Sequence, residues 1–217
     1  MTENVELPTI LITGFGPFPG APFNPTGPLV KRLARLRRPG LQDGKLIAHV
    51  FATSYAAVDR ELPRLIARHK PDALLMFGLA PRARVLRIET RARNAVALLP
   101  DAGGGSLPRH AIEPGSPATM PLPAPTQRLL GAVRATGLAA ALSRDAGRYL
   151  CNYLCWHAAE AVGTTGGPRL AAFIHVPPVR RAHVPHARLK SHHYSANDLR
   201  HAGTRLVMVI AAAAARR

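Results

Sequence analysis

Hydrophobic positions first gather in Thr9 to Thr13, where three apolar residues sit between two threonines and Gly14 stops the run. A short, continuous, β-branched run of this kind predicts a buried strand. The loop GFGPFPGAPFNP follows. Asn24 stands at an N-cap position with Pro25 at the first helical position, and Leu29, Val30, Leu33 and Leu36 recur at helical spacing. Lys45 to Thr53 reads as a second strand, Tyr55 to His69 as a helix that tolerates Pro63, and Ala73 to Gly78 as a third strand. Val85 to Leu99 is extended and partly alternating. The Gly- and Pro-rich stretch from Pro100 to Pro125 predicts a surface excursion within one fold, not a domain boundary. Gln127 to Thr136 is helical, Leu138 to Leu142 strand-like, Asn152 to Val162 helical, and Leu170 to Val176 a buried strand ended by Pro177. His183 to Ser195 reads as loop, and Ser195 with Asp198 forms a capping box that opens a last helix running into an alanine tail. No internal repeat is present. Alternating strands and helices of this kind predict an α/β fold whose helices cover a largely parallel sheet.

Composition narrows the class. With 217 residues, 47% hydrophobic and 19% charged, the chain has the size of one globular domain and enough apolar surface for a full core. Its two cysteines, Cys151 and Cys155, lie on successive turns of one predicted helix and are too few for a disulfide scaffold, so a reducing compartment is expected. The start carries Glu3 and Glu6 where a secretory signal needs positive charge, and Gly14 and Gly16 cut its apolar run. Leu206 to Ala215 is half of the about 20 apolar residues that cross a bilayer. A cytoplasmic protein without a membrane partner is expected. The charge is unusual: 29 Lys and Arg against 12 Asp and Glu give +17 and a pI near 11.5. Such a field attracts polyanions without specificity, but the basic residues are spread along the chain, aromatics total 5%, and no nucleic-acid motif is found. A solvated Arg-rich surface is favoured over a nucleic-acid partner.

Three residues are candidates for chemistry. Cys151 stands where a helix opens, and unpaired amides with the positive end of the helix dipole favour thiolate there; a buried packing cysteine is the alternative. His175 lies near the end of a buried strand, where α/β folds display functional side chains; a hydrogen-bonded core histidine is the alternative. A cysteine beside an imidazole can pass its proton to the ring and later return one to a leaving amine. Glu89, between apolar neighbours in an extended segment, can fix the imidazole tautomer, or else pair with Arg87 or Arg91.

With their neighbours these residues resemble a known family. SRDAGRYLCNYL (Ser143 to Leu154) is similar to the nucleophile signature of the pyroglutamyl peptidase I family of cysteine exopeptidases, also called pyrrolidone carboxyl peptidases. FIHVP (Phe173 to Pro177) resembles its histidine motif, TGFGPF with Asn24 and Pro25 its N-terminal signature, and Glu89 its glutamate position after Gly78. The resemblance implies a catalytic triad of Cys151, His175 and Glu89, and substrate contacts from Phe15, Phe18, Asn24 and Leu150. It implies a single three-layer α/β domain over residues 1–217, with a central twisted, largely parallel (mixed) sheet and helices on both faces. It further implies peptide substrates with N-terminal pyroglutamate, no cofactor, and a homo-oligomer, dimer or tetramer. Pyroglutamate is a neutral lactam, so an apolar pocket with one acceptor for the ring N–H and one donor for its carbonyl suits it, and Phe15 and Phe18 can sandwich the ring.

The chain departs from the family pattern after Gly78, where Leu79, Ala80, Pro81 and Arg82 replace Gln, Ala and two Gly. Leu98 stands where the family has Arg before Ile-Pro-Asp, and Thr90 where Arg follows the glutamate, so a polar or cationic contribution near the site is expected to be missing. A family member with altered specificity is therefore the second enzymatic reading. Cys151, Cys155 and His157 match no common zinc spacing, so no metal is expected; His183, His186, His192 and His193 form a loop cluster near the expected site mouth.

Overall fold

The computed structural model describes residues 8–18, 20–38, 41, 44–180 and 194–215. In chain order the elements are β1 (Thr9–Phe15), α1 (Thr26–Leu33), β2 (Lys45–Phe51), α2 (Tyr55–His69), β3 (Ala73–Leu79), β4 (Leu86–Glu89), β5 (Arg91–Arg93), β6 (Thr119–Pro121), α3 (Thr126–Arg134), β7 (Ala140–Ser143), α4 (Leu150–Ala161), β8 (Leu170–Val176) and α5 (Ala196–Ala214). Six strands form one sheet in the order β2-β1-β3-β8-β4-β7. The first four are parallel, while β4 runs antiparallel to β8 and parallel to β7, so the sheet is largely parallel and mixed, as the sequence predicts.

Side-chain alternation builds the layers. Ile10, Ile12, Leu75, Phe77, Ile88, Ala172 and Ile174 face one way, into a core closed by α1, α3 and α5. Leu11, Leu74, Met76, Ala171 and Phe173 face the other way, into a core closed by α2 and α4. The central strands are buried on both faces, which is why they read as unbroken apolar runs. A side chain's place in this alternation therefore decides which helices it meets.

Local chemistry sets the element ends. Helix α1 starts at Thr26, one residue later than predicted, and leaves Leu36 outside it. Pro25 therefore takes the N-cap place, and Asn24 fastens the turn before it, its Oδ1 accepting from the Thr26 amide (3.1 Å) and hydroxyl (2.8 Å). Helix α2 keeps Pro63 on its exposed side and stops at Lys70, whose left-handed φ of 42° precedes Pro71. The capping box of α5 forms in both directions, Asp198 amide to Ser195 Oγ (3.1 Å) and Ser195 amide to Asp198 Oδ2 (2.7 Å).

Two expectations change. The extended segment from Val85 divides at Thr90: β4 joins the main sheet, whereas β5 pairs with β6 in a separate two-stranded ladder. The stretch from Pro100 to Pro125 is more than a surface excursion, because it supplies β6 and buries Asp101, Ile112 and Leu122. Its Gly and Pro content hid these few packed positions. The histidine cluster at 183–193 lies outside the described residues.

Candidate active site

Register on the sheet brings the candidate residues together. Gly78 of β3 pairs with His175 of β8, and Arg87 of β4 pairs with His175 from the other side. Glu89, two residues on, pairs with Phe173 and so faces His175 diagonally on the side covered by α2 and α4. His175 Nδ1 lies 2.7 Å from Glu89 Oε1, and both side chains are buried. The alternative partners are weaker or absent: Arg87 Nε is 3.7 Å from the same oxygen, and Arg91 donates to the Arg144 carbonyl instead.

Helix α4 carries Cys151 to the same point. Tyr149 is the N-cap, Leu150 and Cys151 are the first two helical residues, and no side chain caps the first turn. The helix thus begins two residues before the predicted Asn152 and places the sulfur in its amide-rich first turn. A Cβ built on Gly78 falls 2.7 Å from Cys151 Sγ and 2.6 Å from the Phe173 ring, so the sulfur rests directly over the Gly78 backbone. Any larger residue at 78 displaces either the nucleophile candidate or the ring supporting His175, whose centroid lies 5.0 Å from that of Phe173.

The electrostatics follow from this packing. Burial works against charge on His175, but Cys151, by its charge and a hydrogen bond, and Glu89, likewise by both, outweigh it and push the imidazole up to about 9. The ring holds its proton through neutral pH, with Nδ1 turned to the carboxylate. Burial raises the Cys155 thiol well above its ordinary range, so the second cysteine is inert packing in the core beside Trp156. His157 is committed to Glu160 (2.8 Å), and among the described residues no group of three or more His, Cys, Asp or Glu could hold a metal ion.

A pocket of about 470 Å³ opens over these groups at the C-terminal edge of the parallel strands. Cys151, His175, Phe15, Phe18, Asn24 and Leu150 all line it, and Glu89 sits behind the imidazole. Phe15 backs onto Phe51 with centroids 6.0 Å apart. Phe18 is held by paired backbone hydrogen bonds with Ala21 (3.2 and 2.9 Å). Asn24 donates to the Gly16 carbonyl (3.0 Å) and accepts from the Thr26 amide (3.1 Å), so much of its polar capacity fixes the loop that presents the two phenylalanines. Leu79 and Arg82 also reach the wall; Leu98 is 52% exposed and absent from it. The cations that do line the pocket, Arg82 and Arg87, come from positions other than Leu98 and Thr90, where the family pattern has arginine.

Sequence reasoning passed over the residues that brace the site. Asn152 is fully buried; its Oδ1 accepts from the Arg93 amide (2.9 Å) and its Nδ2 donates to the carbonyls of Arg93 (2.8 Å) and Ala95 (2.9 Å), tying α4 to β5. A short amide in the first turn of a helix, beside the cysteine, was the available signal. Asp101 accepts from the amides of Tyr55 (2.9 Å), Gly103 (2.8 Å) and Gly105 (2.9 Å), capping α2 from a distant loop. Tyr149 donates from its hydroxyl to the Pro100 carbonyl (3.0 Å) and joins that loop to the start of α4.

The profile of the pyroglutamyl peptidase family matches residues 8–211. The pyrrolidone-carboxylate peptidase of Pyrococcus furiosus is 32% identical over 169 residues, covering 77% of this chain and 80% of that protein. That of Clavibacter michiganensis is 34% identical over 176 residues, covering 79% of each. Among solved structures, the pyrrolidone carboxyl peptidase from Thermococcus litoralis superposes with a TM-score of 0.82 at 26% identity, covering 94% of each chain. The pyroglutamyl peptidase I of Bacillus amyloliquefaciens superposes with a TM-score of 0.81 at 25% identity, covering 94% of this chain and 97% of that one.

Proposed function

The chain belongs to the pyroglutamyl peptidase family, and from that premise we propose that it is a cysteine peptidase removing an N-terminal pyroglutamyl residue from peptides. Cys151 is the nucleophile, His175 the general acid and base, and Glu89 the carboxylate that orients the imidazole. The observation that carries this reading is the buried 2.7 Å bond between His175 Nδ1 and Glu89 Oε1, which leaves Nε2 for the sulfur at the head of α4.

The lactam ring sits between Phe15 and Phe18, with Leu150 beside it. Thiolate Sγ of Cys151 attacks the carbonyl carbon between the ring and the next residue, and the amides of the first turn of α4 stabilise the oxyanion. The imidazolium gives its Nε2 proton to the departing nitrogen, the C–N bond breaks, and a thioester remains. His175, now neutral, takes a proton from water as the water oxygen attacks the thioester; the C–S bond breaks, pyroglutamate leaves and the thiolate–imidazolium pair is restored. We place this chemistry in the cytoplasm, where a free thiol persists. Among the described residues no helix is long and apolar enough to cross a membrane.

Purified protein is expected to release the fluorophore from a pyroglutamyl-coumarin amide, with kcat/KM reduced at least about 10³-fold in Cys151→Ser. Equal turnover by the two proteins, or none by the wild type, contradicts the proposal.

A further inference from the structure

The pocket carries charge that a neutral lactam does not use. Strand order tells which part of a substrate meets it. His175 on β8 stands in the middle, Phe15 on β1 lies two strands away, and Arg87 on β4 is the next strand on the opposite side. At about 4.8 Å per strand, the ring slot is roughly 10 Å from β8 in one direction and Arg87 is roughly 5 Å away in the other. A peptide with its ring on the phenylalanine side and its scissile carbonyl at Cys151 extends its following residue over β4. Arg87 and Arg82 wait there, the latter on the connection between β3 and β4.

Neither guanidinium is saturated. Among the described residues Arg82 has no ion pair, and Arg87 reaches two carboxylates only loosely: Glu89 at 3.7 Å, whose near oxygen is already taken by His175, and Asp145, whose carboxyl its charge helps, against burial, to hold below the ordinary value. Arg87 Nε is buried and has no hydrogen-bond partner. Asp145 also lines this end, but its Oδ1 is held by Arg93 (3.1 Å) and the Gly147 amide (3.0 Å), so this one carboxylate is shared among Arg93, the Gly147 amide and the Arg87 charge. The wall keeps a surplus of guanidinium donors facing the place of the leaving residue.

Resting on the peptidase reading above, we infer that Arg82 and Arg87 form an anion-recognising subsite for a carboxylate on the residue that follows pyroglutamate. The carboxylate comes from an Asp or Glu side chain or from the C-terminus of a pyroglutamyl dipeptide; a guanidinium fork recognises both alike.

The test compares three substrates: pyroglutamyl-glutamine amide, which is neutral; pyroglutamyl-glutamic acid amide, with a side-chain carboxylate; and pyroglutamyl-glutamine with a free C-terminus. At least one anionic substrate is expected to exceed the neutral one in kcat/KM by about tenfold, chiefly through KM, and the better arm identifies the source. The ratio falls to within about twofold in Arg82→Gln/Arg87→Gln and persists in Arg64→Gln, which removes an exposed charge on α2 that does not line the pocket. Arg82→Glu, a loop substitution, turns the preference toward pyroglutamyl-lysine amide. Binding of the same peptides to Cys151→Ser follows the same order. Equal rates on all three, or a ratio that survives the double substitution, overturn the subsite while leaving the peptidase reading intact. No pyroglutamate from any arm, with equal binding to Cys151→Ser, overturns both.

Discussion

At the scale of single residues, a strand register and one absent side chain govern the chemistry. Gly78 lets the Cys151 sulfur settle onto β3, and its Cβ in Gly78→Ala meets Phe173 at 2.6 Å and Sγ at 2.7 Å. Overpacking of this kind costs about 1–3 kcal/mol, which in a chain of this size lowers Tm by about 2–4 °C per kcal/mol. Gly78→Ala is expected to lose activity at least about 100-fold as well, since misplacement by about 1 Å is enough for that; wild-type kcat/KM in this variant would contradict the contact. The imidazole makes a second prediction. Burial opposes its charge, yet Cys151 and Glu89 hold the proton on it up to about 9, so leaving-group protonation is available at neutral pH and is lost as pH rises through that value. The alkaline limb of kcat/KM is therefore expected near pH 9 and should move to lower pH in Glu89→Gln, which removes one of the groups favouring the protonated ring. An unmoved limb in that variant would show that Glu89 does not act on the imidazole. Cys151, His175 and Glu89 were readable as candidates from a helix start, a strand end and an acid between apolar neighbours, and the family resemblance joined them into one triad. The need for glycine at 78 and the Arg87 Nε left without a hydrogen bond were not, because both depend on the pairing of β3, β8 and β4.

At the scale of elements, the site is held by loops that fasten helix starts. The Asp101 carboxylate lies far from α2 in sequence yet satisfies the Tyr55 amide in its first turn, together with Gly103 and Gly105. Burial raises the cost of its charge, but these amides and the Ser54 hydroxyl outweigh it and hold the carboxyl below its ordinary value of 3.8. A depressed folded pKa contributes stability that is present above pH 3.8 and lost as pH falls through the lower folded value. Asp101→Asn is expected to lower stability by about 1–3 kcal/mol at neutral pH and to flatten the acid limb of the Tm–pH profile. A profile identical to that of the wild type below pH 4 would contradict this role. The main strands, α2 and the α5 capping box were readable from apolar runs and cap residues. The β5–β6 ladder was not, because its strands are three residues each and the partner lies in a Gly- and Pro-rich segment. Pairing that short is decided by tertiary packing, here by Asn152 holding the β5 backbone.

At the scale of the whole molecule, two apolar cores clamp one mixed sheet, and the pocket lies where parallel strands end and the antiparallel strand β4 begins. The strand order sets Phe15 of β1 on one side of His175 and Arg87 of β4 on the other. The α/β class was legible from the alternation of strands and helices; the reversal at β4 was not, since direction leaves no local mark on a four-residue strand. The net charge of +17 belongs to the same scale: spread along the chain, it sets a diffuse field, whereas Arg82 and Arg87 act at one place. The account as a whole depends on a covalent step at Cys151. Rapid acid quenching of the protein with excess pyroglutamyl-coumarin amide, followed by mass analysis of its proteolytic fragments, tests that step directly. One pyroglutamyl group is expected on the fragment containing Cys151, absent from Cys151→Ser and removed by hydroxylamine; turnover with no acyl group on that fragment at any quench time, or an acyl group on another residue, would contradict it.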